Sequence, residues 1–347
     1  MNIEKMGGSI VYAKYLALAK KNYTLTPVKN KYKTTLDYYK PDGAANWGNS
    51  LYHYCSIDTL KIITQNKQLR FSDVQFLKDT TELKNAIWQL RHIIKEQENS
   101  IDKELYNILN DEDIFIKLEN YTQRYPFYPP VNSEESIDSI NPTCKVYTCS
   151  LSMHGDVPEM WKDYTKNGDG ACIKFKELEQ YVKTEEKIKI IFGKVWYHEE
   201  DKKQCIEALL KDIGDLFSLI PDEECRKDMI QTVLISAMNH MRIFMKNESY
   251  SHEEEYRAVL IVPEEIIEKN KLPKGYNKDK FVREEQTVPC IDAPFAPESI
   301  SCVIVGNGIN EEITLMKNDL KDWMEQQGMN DIKIYESNVP VEEILKM

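Results

Sequence analysis

Four groups of residues have types and spacings that could do chemistry. The first is Glu253, Glu255 and Arg257, in the run Glu253-Glu254-Glu255-Tyr256-Arg257. If this run is already strand, alternation turns all three to one face. Two carboxylates would then stand about 6–7 Å apart along the strand. They would repel, and Arg257 would offset part of that repulsion. An acid pair at a pocket rim and a solvated strand edge both fit the pattern. The second group is His53, the one titratable ring in Leu51-Tyr52-His53-Tyr54-Cys55-Ser56. It can serve as an acid, a base or a hydrogen-bond donor near neutral pH, or simply as a satisfied strand residue. The third is Ser150 and Ser152, two apart on a strand and so on one face, followed by Trp161 and Tyr164. The fourth is the turn Asn167-Gly168-Asp169-Gly170, which a hairpin connection explains without any ligand.

The elements that must position these residues are legible in outline. Tyr52 and Tyr54 alternating with His53 suit a strand. Ser56 is a good N-cap for a short helix carrying Leu60 and Ile63, and a strand at Leu69-Arg70-Phe71-Ser72 follows. A helix is expected from Asp79 as N-cap, with Glu82 three residues on and Leu83, Ile87, Leu90 and Ile94 on one side. Another is expected over 102–123. Strands are expected at 145–152, 171–175 and 188–197. Residues 199–246 read as two long helices joined at Ile220-Pro221-Asp222, a hairpin inserted between strands. Strands at 253–262 and 300–305 follow, then a helix over 310–327 and a strand at 332–335. Residues 263–298, rich in Pro and Lys, read as mostly irregular. Strands and helices do not alternate strictly, which favours an α+β class over a doubly wound sheet. The expected division is an extension over 1–50 with a helix at 9–22, one α+β core over 51–308, and a C-terminal helix and strand over 309–347.

Composition narrows the function classes. The 347 residues are 41% hydrophobic, enough for a core. No run of about 18 apolar residues is present, so a membrane-spanning helix is not expected. The N-terminus lacks the apolar stretch of a secretory signal. The net charge of −12 argues against a general coat for nucleic acid, whose backbone selects concentrated positive charge. Eight scattered cysteines with no C-x-x-C pair read as reduced thiols of a cytoplasmic protein, not as a zinc site.

The order of short motifs resembles a bacterial family, domain of unknown function 2971. The motifs are the 51–56 strand, Leu77 to Glu82, Tyr147-Thr148-Cys149-Ser150, Met160-Trp161-Lys162-Asp163-Tyr164, Gly170 to Phe175, Val195-Trp196-Tyr197, Glu253 to Arg257 and Val303 to Gly306. The resemblance spans about residues 50–308. Lys78 and Thr80 depart from the family's usual Asn-Asp-Pro-x-Glu form at Asp79 to Glu82. The family itself implies no activity.

The tyrosine-histidine strand, the strand serines and the Glu-x-Glu also resemble, in chain order, the three motifs of ADP-ribosyltransferases. That resemblance implies a split mixed sheet with peripheral helices and NAD as substrate. It implies that Glu255 stabilises the sugar cation formed when the nicotinamide–ribose bond breaks, and that Glu253 orients the attacking group. His53 would hold ribose hydroxyls, and Tyr164 would stack on nicotinamide. Tyr54, Ser150, Ser152 and Arg257 would complete the cofactor site, with Arg257 pairing Glu253 or the pyrophosphate. The acceptor could be protein, nucleic acid or water, and the setting phage defence or toxin action. Two other classes stand beside this one. A metal-dependent nuclease would use Asp79, Glu82, Glu253 and Glu255 around magnesium. A non-enzymatic module would bind a partner through the acidic strand edge or the hairpin 199–246. A cysteine hydrolase built on Cys149 or Cys172 with His53 conflicts with their strand settings.

Overall fold

Ser56 ends strand β1 (Ser50–Cys55) and caps α1 (Ile57–Asn66), accepting a 3.1 Å bond from the Thr59 amide. Lys67 then takes a left-handed conformation (φ 55°) and the chain returns as β2 (Gln68–Asp73). The computed structural model describes residues 27–28, 31–32, 50–77, 81–119, 143–165, 168–182, 188–308 and 313–346. The helix expected at 9–22 and the N-cap at Asp79 lie outside these residues.

Strand β3 (Cys144–Ser152) is the junction of the sheet. One edge pairs along its whole length with β6 (Glu255–Pro263), from Cys144 opposite Pro263 to Ser152 opposite Glu255. The other edge is shared: β1 reaches it at Tyr52–Ser152, and β2 at Ser72–Thr148 and Asp73–Tyr147. The sheet therefore splits between β1 and β2. Beyond β1 come β4 (Ala171–Lys176), β9 (Ile300–Val305) and β10 (Lys333–Glu336). Beyond β2 come β8 (Gln286–Pro294) and β7 (Asn277–Arg283), and β5 (Lys189–Lys194) flanks β6. The β9–β10 pair is parallel and the others antiparallel, so this is a mixed, open α+β sheet.

Both faces of the centre are covered, so β6 is buried throughout except at Tyr256. On one face Val146, Ile191, Val259 and Ile261 pack against α2 (Glu82–Glu96), α3 (Lys103–Leu109), α4 (Glu112–Glu119) and the hairpin α6 (Glu199–Phe217)–α7 (Glu223–Met241). The same face, further along, carries α5 (Pro158–Tyr164) and α10 (Val341–Lys346) over Tyr54 and Cys172. The opposite face packs Cys149, Ile173, Leu260 and Val303 against α1 and α9 (Ile313–Gln326).

Two expectations change. The single helix over 102–123 is instead the short pair α3 and α4, because Asp102 and Asp111 each cap amides of their own turn. Residues 263–298 are not mostly irregular: they hold α8 (Glu264–Glu268) and the β7–β8 hairpin. The hairpin tip is Glu284-Glu285, both at positive φ (48° and 67°). Such tips usually carry Asn or Gly, and this one gives no such signal.

Candidate active site

Glu253, Glu255, Arg257 and Tyr164 meet where β6 begins, together with two partners from distant elements. The strand starts at Glu255, not Glu253. Glu253 closes a 3₁₀ segment (Glu248–Glu253), and Glu254 turns left-handed at φ 37°. The expected strand alternation therefore does not bring the two carboxylates together; a lysine does. Lys246 Nζ lies 2.5 Å from Glu253 Oε2 and 3.2 Å from Glu255 Oε2.

Arg257 grips Glu255 with Nε at 2.6 Å and Nη2 at 2.9 Å, and its Nη1 stands 2.5 Å from Glu82 Oε1. The same Nη1 donates to the Ile243 carbonyl. The guanidinium thus pairs with Glu255 and Glu82, not with Glu253, and at 1% exposure it is closed to a pyrophosphate. Of the two readings left open for this run, the solvated strand edge is ruled out, because the residues form a buried ion network.

Burial alone would raise the pKa of Glu255, but Arg257, Lys246 and the Ser150 hydroxyl outweigh it and hold the carboxyl at about 2. Burial opposes the Lys246 charge, but Glu255 and Glu253 prevail and raise its pKa. Glu82 goes the other way: burial raises its pKa despite Arg257.

Tyr164 is the outward part. Its hydroxyl donates to Glu253 Oε1 at 2.9 Å while its ring is 41% exposed. Burial of the hydroxyl, then the Glu253 charge, push its pKa well above the usual tyrosine value. Tyr197 accepts from the Glu255 amide at 3.0 Å. The two strand serines differ. Ser150 is exposed, whereas Ser152 is 1% exposed and donates to the Glu253 carbonyl at 2.9 Å. Around the rim His154 pairs with Glu254 at 2.7 Å and His252 with Asp163 at 3.1 Å, tying the 3₁₀ segment to β3 and α5.

His53 and Tyr54 sit apart from this network. Tyr52 opposes Ser152, and Ser152 opposes Glu255, so these three share a face. His53 is the next residue, and the pleat turns it to the other face. Its Nδ1 lies 3.3 Å from the Ser150 carbonyl, where the sheet splits. A carbonyl only accepts, so Nδ1 carries the proton. Burial, partly opposed by that bond, lowers the His53 pKa and keeps the ring neutral. His53 therefore braces the strand bearing Ser150 and does not line a cleft with Tyr164 and Glu255. Tyr54 is 5% exposed, stacks edge-on against Trp161 at 5.1 Å and bonds the backbone at His154 and Val157. It is closed to a ligand by packing.

The other chemistries find less to work with. Glu82, Glu253 and Glu255 already face Arg257 and Lys246, and no group of three metal-ligating side chains occurs among the described residues. Cys149 is buried, and burial pushes its thiol up to about 12, so little thiolate exists for attack. Seven of the eight cysteines are buried. No described helix is long and apolar enough to cross a membrane.

Lys246 is the residue that sequence reasoning missed. It follows Ile243-Phe244-Met245 and precedes Glu253 by seven positions, but no continuous helix joins them, since Met245 is extended between two 3₁₀ pieces. The irregular path of 242–254 alone returns it to the carboxylates.

The chain matches no curated protein and no solved structure. Residues 160–258, which carry Tyr164, Lys246, Glu253, Glu255 and Arg257, match the family model described as protein of unknown function (DUF2971).

Proposed function

We propose that the protein cleaves the nicotinamide–ribose bond of NAD, as an ADP-ribosyltransferase-like enzyme or an NAD glycohydrolase. One observation carries this reading: an exposed tyrosine ring is hydrogen-bonded to a carboxylate of a charged, water-poor cluster. The nicotinamide ring of NAD is a cation, and a tyrosine face beside carboxylates suits it. As the glycosidic bond breaks, its electron pair leaves with nicotinamide and positive charge grows on the sugar. A fixed carboxylate stabilises that charge most strongly where water is excluded.

Glu253 is the better placed of the two acids for this task, because it touches the partly exposed Tyr164, while Glu255 is gripped by both Arg257 and Lys246. Glu255 and Lys246 are then positioning residues that fix Glu253. Ser150 is an exposed residue whose hydroxyl supports Glu255, and His53 braces its strand. The split between β1 and β2 supports the reading, since the resembled fold also has a split sheet.

The test is nicotinamide release from NAD by the purified full chain without added metal. Turnover that Glu253→Gln removes supports the reading. No NAD binding or turnover with water or with any offered protein or nucleic acid overturns it, and magnesium-dependent cleavage of DNA or RNA would replace it.

A further inference from the structure

A cavity of about 300 Å³ opens on the Glu255 face of the sheet, on the arm formed by β1, β4, β9 and β10. Register builds it. Tyr52 opposes Lys174, Lys174 opposes Cys302, and Ile304 lies beside Tyr335. Tyr52 and Tyr335 thus stand at the two ends of a four-strand span, about 14 Å across. Lys174 and Ile304 form the floor between them.

The charges in the cavity are unequally committed. Asp156 accepts from Trp161 Nε1 at 3.0 Å, from the Asn338 amide at 2.7 Å and from the Ser337 hydroxyl. Glu336 uses Oε1 on Lys317 at 2.7 Å. Lys174 makes no ion pair among the described residues. Its Nζ lies 5.7 Å from the Tyr52 ring centre. An uncommitted cation between two tyrosines calls for an anion joined to a flat ring. A bare anion would leave the tyrosines unused, and a neutral ring would leave the lysine unused.

We propose that this cavity binds a nucleoside monophosphate. The phosphate would sit on Lys174 and the base against the Tyr335 ring, which is 49% exposed, while Glu336, paired with Lys317 of α9, turns to the other face. The volume lies at the bottom of the range for small-molecule pockets, about 300–1,000 Å³, which suits one nucleotide and not a dinucleotide. The proposal stands without the NAD reading.

Calorimetric titration of the full chain with AMP, adenosine and inorganic phosphate tests it. AMP is expected to bind at least tenfold more tightly than either fragment. Lys174→Gln and Tyr335→Ala should each weaken AMP by about tenfold, or about 1.4 kcal/mol. Glu253→Gln should leave AMP binding unchanged, which separates this site from the carboxylate cluster. The proposal is overturned if AMP shows no binding at millimolar concentration, if both cavity variants bind like wild type, or if phosphate alone binds as tightly as AMP. Tyr335 is at the surface, so its variant should fold, and a thermal melt checks both variants.

Discussion

Arg257 holds Glu255 through two parallel hydrogen bonds, of 2.6 Å and 2.9 Å, with the side chains 1% and 2% exposed. Breaking a buried pair strands a charge away from water, at a cost of about 3–5 kcal/mol. Arg257→Met should lower stability by that amount in denaturant unfolding. Arg257→Lys should recover little of it, because an ammonium cannot make both bonds and reach Glu82. A loss below about 1 kcal/mol would mean that the pair is not buried as described.

Acid should destabilise the protein in two windows. His240, in α7, is buried and its pKa is lowered to about 3, by burial and then by the Lys189 charge. Below pH 6.5 the unfolded chain takes up a proton that folded His240 refuses, so stability falls as pH drops from 6.5 toward 3. Glu255, held at about 2, stabilises fully above its ordinary 4.5 and loses that contribution as pH falls from 4.5 toward 2, about 3 kcal/mol in all. Glu82, with its raised pKa, opposes this, because protonation favours its folded form. Unfolding free energies measured from pH 8 to pH 3 should begin to decline only near pH 6.5. His240→Gln should lessen the slope between 6.5 and 4.5, leaving the part that neutral His53 contributes, and an unchanged slope there would count against a buried neutral His240.

If Glu253 faces the sugar, Glu253→Gln should cut nicotinamide release by about 100-fold or more, a loss typical of removing one electrostatic stabiliser. Lys246→Met should reduce kcat as well and also lower the melting temperature, since it leaves two carboxylates without their shared cation. A Glu253→Gln enzyme with wild-type turnover would remove Glu253 from the chemistry.

The Tyr164 ring and hydroxyl can be separated. Tyr164→Phe keeps the stacking face and should leave KM for NAD within about twofold, while Tyr164→Ala should raise it several-fold, consistent with about 0.5–1.5 kcal/mol for an aromatic contact. Equal KM values in both variants would place the substrate elsewhere.

Gly306 closes the end of β9 against the turn at Gly168, and an added Cβ would stand 2.1 Å from the Gly168 carbonyl oxygen. Backbone cannot yield as a flexible side chain can, so Gly306→Ala should cost about 1–3 kcal/mol. The paired bonds Gly306 N to Gly170 O (3.0 Å) and Gly308 N to Gly168 O (3.1 Å) would be lost with it. The glycine turn thus packs closely against the chain's own backbone.

Local chemistry in the sequence was enough to determine the elements whose signals lie within a few residues. Ser56 as a helix cap, Pro158 at the start of α5, the hairpin over 199–246 and the alternating strand at 171–176 need only nearest neighbours and period. Residue types also marked Glu253, Glu255 and Arg257 as one group and Tyr164 within another before any geometry. The tertiary structure decided what they touch. Lys246 and Glu82 reach the cluster from irregular chain and from α2, at separations no periodicity encodes. The left-handed Glu254 moved Glu253 off the strand. The pleat set His53 on the opposite face, because a single residue of register reverses every side chain. Burial then decided chemistry that types alone leave open, fixing the charge of Glu255 and closing Tyr54, Ser152 and Arg257 to solvent.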